Sequence, residues 1–182
     1  MSRLVVCFAG GIGSGKSLVS KKVAAALGWP RVSFGDYVRG VARQRGLDQT
    51  RETLQQVGAE LVAGNVEDFC RGVLDHAEWS SGESLVVDGI RHLEVMDTLR
   101  SMTVPSVVVL VFVDVGRAER KRRVLERAIG DISFENAERH STEIQVGGRL
   151  REAADIVIDG RQPVDVVVKD AVEFIRAQCH DD

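Results

Sequence analysis

An α/β fold built on a parallel sheet is predicted by three observations. An apolar run, Leu4-Val5-Val6-Cys7-Phe8-Ala9, leads straight into Gly10-Gly11-Ile12-Gly13-Ser14-Gly15-Lys16-Ser17 and then into a helical pattern. A second run, residues 107–113, is apolar throughout, as strands buried on both faces of a parallel sheet are. Strand-length apolar segments alternate with segments of helical period along the rest of the chain. With 182 residues the chain has room for one such domain and a good core, and is short for two.

The glycine-rich stretch fits G-x-x-x-x-G-K-[ST], the phosphate-binding P-loop. Its residue types follow from its chemistry. Gly11, Gly13, Ser14 and Gly15 let backbone N–H groups close around phosphate oxygens, Lys16 offers a mobile cation to the β- and γ-phosphates, and Ser17 can ligate Mg²⁺. The helix that begins here adds its positive end. Leu18, Val19, Val23, Ala26 and Leu27 carry its apolar period, and Gly28 with Pro30 stops it.

Composition bounds the partners. The chain is 44% hydrophobic and 28% charged with a formal net charge of −3, values of a soluble globular protein without a global basic field for nucleic acid. The longest apolar segment has strand length, far short of a membrane span. A cleaved leader would remove the P-loop, so a cytoplasmic protein with no membrane partner is expected. Cys7, Cys70 and Cys179 are odd in number and lack C-x-x-C spacing, and read as reduced thiols.

After the P-loop helix, residues 31–34 read as a short strand, with Gly35-Asp36 where a strand meets a helix. Asp36 fits two roles, an N-cap or a contact with an acceptor substrate at the strand end. Three helical patterns follow: 37–44, with Arg39 and Arg43 at i,i+4; one capped from 48–50, whose Leu54, Val57, Leu61 and Val62 form a stripe with Gly58 as a close-packing position; and 66–77. Three helices exceed what a βαβ crossover needs, and predict a helical insert over the site at about 36–80 within a single domain of 1–182.

Residues 84–87 read as the next strand, ending in Asp88-Gly89-Ile90-Arg91. An acidic residue at a strand end is the Walker B arrangement, holding Mg²⁺ directly or through water. Arg91 is either a solvated arginine or a planar fork for an anionic substrate. A helix at 93–100, the 107–113 strand and Asp114 lead to a basic helix at 117–127. There Arg120, Arg123 and Arg127 share one face, while Glu119–Arg123 and Arg122–Glu126 are spaced for i,i+4 pairs. The face is either solvated or supplies arginines to a transferring phosphoryl group. A polar segment at 129–148, holding Arg139 and His140, predicts a lid that excludes water; His140 reads as structural or surface. A strand at 155–158, the Asp159-Gly160 loop and an amphipathic helix at 164–178 complete the chain.

In this order the P-loop, Ser33-Phe34-Gly35-Asp36-Tyr37-Val38-Arg39, Asp88-Gly89-Ile90-Arg91, the arginine helix and Ala154-Asp155 resemble the P-loop nucleotide kinases. Within them the chain is similar to a dephospho-coenzyme A kinase and adenylate kinase-like group and to phage-type deoxynucleoside monophosphate kinases. The resemblance implies a three-layer P-loop fold with a five-stranded parallel sheet in order 2-3-1-4-5, a helical acceptor-binding insert and a lid. It implies ATP and Mg²⁺ as cofactors, with Asp36, Arg39 and Arg91 on the acceptor side, Arg120, Arg123 and Arg127 leading into the lid, Arg139 in it, and Asp159-Gly160 against the donor base. Two positions depart from the pattern: His140 where Asp is usual, and Asp159 where Asn is common.

The expected reaction is transfer of the ATP γ-phosphoryl group to a nucleotide-like small-molecule acceptor. In it Lys16 and Mg²⁺ on Ser17, with Asp88 in the metal's second shell, neutralise the β/γ oxygens, and Arg120, Arg123 and Arg139 meet the transition-state charge. Arg39 and Arg91 favour a nucleoside monophosphate, whereas Asp36 as a general base would serve a hydroxyl on dephospho-coenzyme A, a nucleoside or a modified DNA base. Nucleic acid is otherwise not an expected partner. A regulatory ATP-binding module is the remaining alternative. A GTPase is not, since N-K-x-D is absent and residues 65–68 lack the lysine.

Overall fold

The structure, a computed structural model, describes residues 3–127, 134 and 146–179. Strands β1 (Leu4–Ala9), β2 (Arg31–Ser33), β3 (Leu85–Ile90), β4 (Val107–Asp114) and β5 (Ile156–Asp159) form one parallel sheet in the order β2-β3-β1-β4-β5. Seven α-helices are described: α1 (Lys16–Leu27), α2 (Phe34–Gln44), α3 (Arg51–Gly64), α4 (Val66–His76), α5 (Leu93–Met102), α6 (Arg117–Arg127) and α7 (Val164–Gln178). A single π-helical turn spans Val146–Leu150.

Period-two alternation divides the core between the faces of the sheet. Val5, Cys7 and Ala9 of β1 point to the face covered by α2 to α5, while Leu4, Val6 and Phe8 point to α1 and α7. Because β1 is paired on both edges and covered on both faces, all six of its residues are buried. That explains a run with no polar residue, and it fixes the P-loop at the centre of the sheet's C-terminal edge.

Several boundaries differ from those the sequence predicts. Strand β2 ends at Ser33, whose hydroxyl caps α2 by accepting the Asp36 N–H at 3.3 Å. Asp36 is therefore in the first turn of α2 and is not its cap. The earlier helix start carries Phe34 into the core, edge-on to Phe69 with ring centroids 5.0 Å apart. Helices α2, α3 and α4 all lie between β2 and β3, with Thr50 and Asn65 capping the second and third. Strand β3 runs past Asp88 to Ile90, because Asp88 still pairs in register with Phe8 and with Ser33.

Strand β5 starts one residue later than its apolar pattern suggests, and Asp155 explains why. The Leu110 N–H donates to its carboxylate at 2.6 Å, and its own N–H donates to the Leu110 carbonyl at 3.0 Å. Asp155 is a side-chain extension of the ladder beside a fully buried Leu110. No helix among the described residues is long and apolar enough to cross a membrane. Asp155→Ala should lower the unfolding free energy by about 1–3 kcal/mol through the orphaned Leu110 N–H; in urea unfolding Asp155→Asn, which keeps an acceptor oxygen, should lose less.

Candidate active site at the ends of the parallel strands

The P-loop turns out of β1 and into α1 with a backbone that only glycine accommodates at Gly13. Its φ is +80°, and a Cβ there would lie 2.6 Å from the Arg120 carbonyl oxygen and 3.0 Å from a Val124 methyl. Gly13 thus lets α6 close directly onto the loop. Gly15, in a left-handed conformation, precedes α1, which has neither a side-chain cap nor an acidic residue in its first turn. The positive end of α1 is left for an external anion.

A β-bulge sets the opposite wall. The β1–β3 register shifts between Phe8 and Ala9, so that Phe8 faces Asp88 while Ala9 faces Ile90, and the extra residue is Gly89 at φ +89°. The bulge turns the end of β3 so that Asp88 stands beside Lys16 and Arg91 lines the cavity next to it. Asp88 is 2% exposed. Its Oδ2 accepts from Arg31 Nη2 at 2.6 Å, while Arg31 Nε donates to Ser20 Oγ at 3.0 Å, tying β2, β3 and α1 together. Sequence reading missed Arg31, since nothing local marks a strand-edge arginine as the partner of a carboxylate 57 residues away.

The electrostatics are those of an anion site. Lys16 is 8% exposed. Burial, then the Arg91 charge, pull its pKa from 10.5 to about 7 against the opposing effect of Asp88, with Arg51 and Arg120 adding to the depression. Arg91 is pushed down to about 10, by burial first and then by Arg51. Burial, then Arg39, lower Arg51. Five cationic side chains, Lys16, Arg39, Arg51, Arg91 and Arg120, thus act on one another's charge beside the buried Asp88 carboxylate.

Beside them lies a cavity of about 300 Å³ under the α2–α4 insert. Arg39, Arg51 and Arg91 line its charged part, and Phe34, Val38 and Phe69 are among its apolar walls. Asp36 is absent from the lining: its carboxylate is bound by Arg39 at 2.7 Å on an exposed rim. Arg51 was missed in the sequence, although a signal existed. It opens α3, and a cation at the positive end of a helix is unfavourable unless something outside the helix requires it.

A second cavity, of about 250 Å³, lies on the other side of the P-loop, between Ser14, Gly15, Arg123, Gly160 and α7 residues. Arg120 donates to the carbonyls of Val115 at 3.0 Å and Ile12 at 3.3 Å. Arg123 donates to Ser14 at 3.4 Å and to Gly160 at 3.1 Å, while Glu119 holds its Nε at 2.7 Å. Both arginines dock α6 onto the loop. Phe134, 1% exposed, packs on Ile12 with the Arg117 and Arg120 guanidinium groups 5.7 and 5.6 Å from its ring centre. Asp159 turns away from the cavity to bind Arg161, which draws its pKa down to about 2, so that only Gly160 lines this site. The Arg127 side chain, Arg139, His140 and most of the 129–148 segment lie outside the described residues.

Among the buried polar atoms without a hydrogen-bond partner in the described residues are Ser14 Oγ on the loop and Asp88 Oδ1 opposite it. They suit a Mg²⁺–nucleotide, which needs a donor or acceptor on the loop and a carboxylate oxygen facing it. Among the described residues no cluster of His, Cys, Asp or Glu forms a protein-only metal cage. Ser17 and Asp88 would therefore hold Mg²⁺ only with phosphate oxygens completing its shell.

A five-stranded 2-3-1-4-5 sheet with this loop and this insert defines a P-loop protein of the kinase-like fold. The AAA domain pattern matches residues 9–144. A UPF0200 protein of Methanothrix thermoacetophila is 36% identical over 70% of this chain and 68% of its own length. One from Thermococcus onnurineus is 30% identical over 96% of this chain and all of its own. The chain belongs to the UPF0200 proteins and carries an AAA domain over residues 9–144. Among solved structures, a sugar kinase from Janibacter sp. HTCC2649 superposes with a TM-score of 0.58 at 19% identity, covering 97% of this chain and 95% of its own. Shikimate kinase from Aquifex aeolicus gives 0.55 at 17%, covering 97% and 99%. At such identities the likeness is one of fold.

The lowered Lys16 pKa has two measurable consequences. Unfolded lysine keeps its proton to about pH 10.4, so the unfolded chain holds more protons than the native one from pH 7 upward. This group therefore makes the ligand-free protein more stable as pH rises from 7 toward 10. A polyphosphate restores the charged form, so binding near pH 8 should take up close to one proton, and none at pH 5.5. Calorimetry of ATP binding in buffers of different ionisation enthalpy checks this, and Lys16→Met should abolish the uptake.

Proposed function

We propose that the protein is an ATP-dependent kinase whose acceptor carries its own anionic group, a (deoxy)nucleoside monophosphate. The observation that carries this reading is the joint presence of Arg39, Arg51 and Arg91 in one cavity adjoining Lys16. A phosphate monoester matches such a set in charge and geometry, through forked N–H donors. The resemblance to the P-loop nucleotide kinases points the same way.

In this reading ATP lies with its phosphates on residues 11–17 and its base toward the cavity by Gly160 and Arg123. Ser17, with Asp88 behind it, would hold Mg²⁺, which would supply neutralisation of the β/γ oxygens. Lys16, recharged by the polyphosphate, follows the transferring group. An acceptor phosphate oxygen forms the new bond to the γ-phosphorus as the bond to the β–γ bridging oxygen breaks, leaving ADP. The second pKa of a phosphate monoester is near 6, so its attacking oxygen carries no proton at neutral pH and needs no base. That suits a site in which Asp36 is engaged by Arg39. Arg120 and Arg123 hold the loop in shape, and so act as positioning residues for the donor side. Arg139 and the lid retain their expected role at the transition state.

A coupled assay over nucleoside monophosphates, dephospho-coenzyme A, nucleosides and DNA tests the reading. Turnover of a monophosphate is expected, with Arg51→Ala and Arg91→Ala each raising its KM at least about tenfold, the loss of a charge-assisted pair, and leaving the KM for ATP within about twofold. Turnover of alcohol acceptors alone, with Asp36→Asn losing most of kcat, would establish the hydroxyl kinase instead. ATP binding without transfer to any acceptor would mark a regulatory module.

A further inference from the structure

Gly58 sits in the interior of α3, where glycine costs about 1 kcal/mol relative to alanine, and the sequence suggests close helix packing as its reason. The structure removes that reason. A Cβ on Gly58 would meet a single atom within 4 Å, a Val38 methyl at 3.8 Å, which is ordinary contact. Its φ lies outside the left-handed region, so the backbone does not require glycine either. What Gly58 does face is the acceptor-side cavity.

The lining residues of α3 fall on one stripe: Arg51, Leu54, Gln55, Gly58 and Ala59, at i, i+3, i+4, i+7 and i+8. From Arg51 to Gly58 the helix rises about 10 Å. Along that length the wall changes from a guanidinium, through an amide, to two of the smallest residues. Val38 and Phe69 bound the same space, and Phe34 stands edge-on to Phe69. Such a lining matches an anionic group at one end and a flat, largely apolar ring at the other. A small polyhydroxy acid would leave the apolar end unmatched.

We infer that Gly58 is a specificity-determining residue, whose missing side chain leaves the space in which the ring of the acceptor lies, so that residue size at position 58 sets the largest ring admitted. This rests on the proposed kinase reading for the acceptor's identity. The shape argument stands on the cavity itself. Gly58 lies about two helical turns along α3 from Arg51, on the apolar part of the cavity wall, so its substitution acts on ring binding.

The test compares wild type with Gly58→Ala and Gly58→Leu, both of which improve helix propensity and should raise Tm or leave it unchanged. Binding of AMP and CMP is measured by calorimetry without ATP, and turnover of each is measured with ATP. The alanine variant should weaken AMP relative to CMP by about tenfold, and the leucine variant should weaken both by about a hundredfold or more, with the Kd for ATP within about twofold of wild type. Undiminished binding of both monophosphates to Gly58→Leu would overturn the inference, as would failure of the wild type to bind either. Monophosphate binding that is lost in Gly58→Leu, with no transfer by the wild type, would sustain the role of Gly58 while rejecting the kinase reading.

Discussion

The constraint on which the rest of this structure depends is the burial of Lys16 at the edge of a sheet, beside Arg91, with one buried carboxylate between them. Desolvating several cations together is costly, and the ligand-free fold tolerates it by letting Lys16 approach neutrality and by keeping Asp88 fully inside. Arg31 then has to fix Asp88, and the Gly89 bulge has to end β3 at the correct angle. The scaffold beneath is rigid because β1 is paired on both edges and buried along its whole length. A site short of negative charge has been assembled on the stiffest element available.

The two sides of the P-loop are built by different means. On the α6 side, polar anchoring dominates: Arg120 and Arg123 donate to four backbone carbonyls, which fasten the helix to the loop and its neighbouring turns. On the insert side, packing dominates. Helices α2, α3 and α4 join the core of the sheet through Phe34, Val38, Val57 and Phe69, while leaving a space into which Arg51 and Arg91 reach. The cavity beside α7 and the cavity under the insert are thereby kept apart in the molecule, on opposite sides of the loop.

How much of this was legible in the sequence follows the range of the interactions concerned. The P-loop, the all-apolar β1 and β4, and helices α6 and α7 could be read residue by residue, because each is specified by a short-range pattern of backbone freedom or of hydrophobic period. The strand order followed from resemblance and agrees with the observed sheet. Boundaries failed where a side chain competed with the ladder: Ser33 opened α2 early, and Asp155 took a place that a strand residue would otherwise fill. Arg139 lies outside the described residues, so its expected place in a lid rests on sequence alone.

The sequence by itself determined that a phosphate loop sits at the end of a buried central strand, since glycine spacing and β-branched runs act locally on the backbone. Only the tertiary structure decided what faces that loop. It brought Arg51 from the start of α3 to Arg91, turned Asp159 toward Arg161 and Asp36 toward Arg39, and set Arg120 and Arg123 on the loop's own carbonyls. It also showed that Gly58 opens onto a cavity. A charge or a missing side chain has meaning only through its neighbours in space, and those neighbours are fixed by the packing of helices onto a sheet whose strands are far apart in the chain.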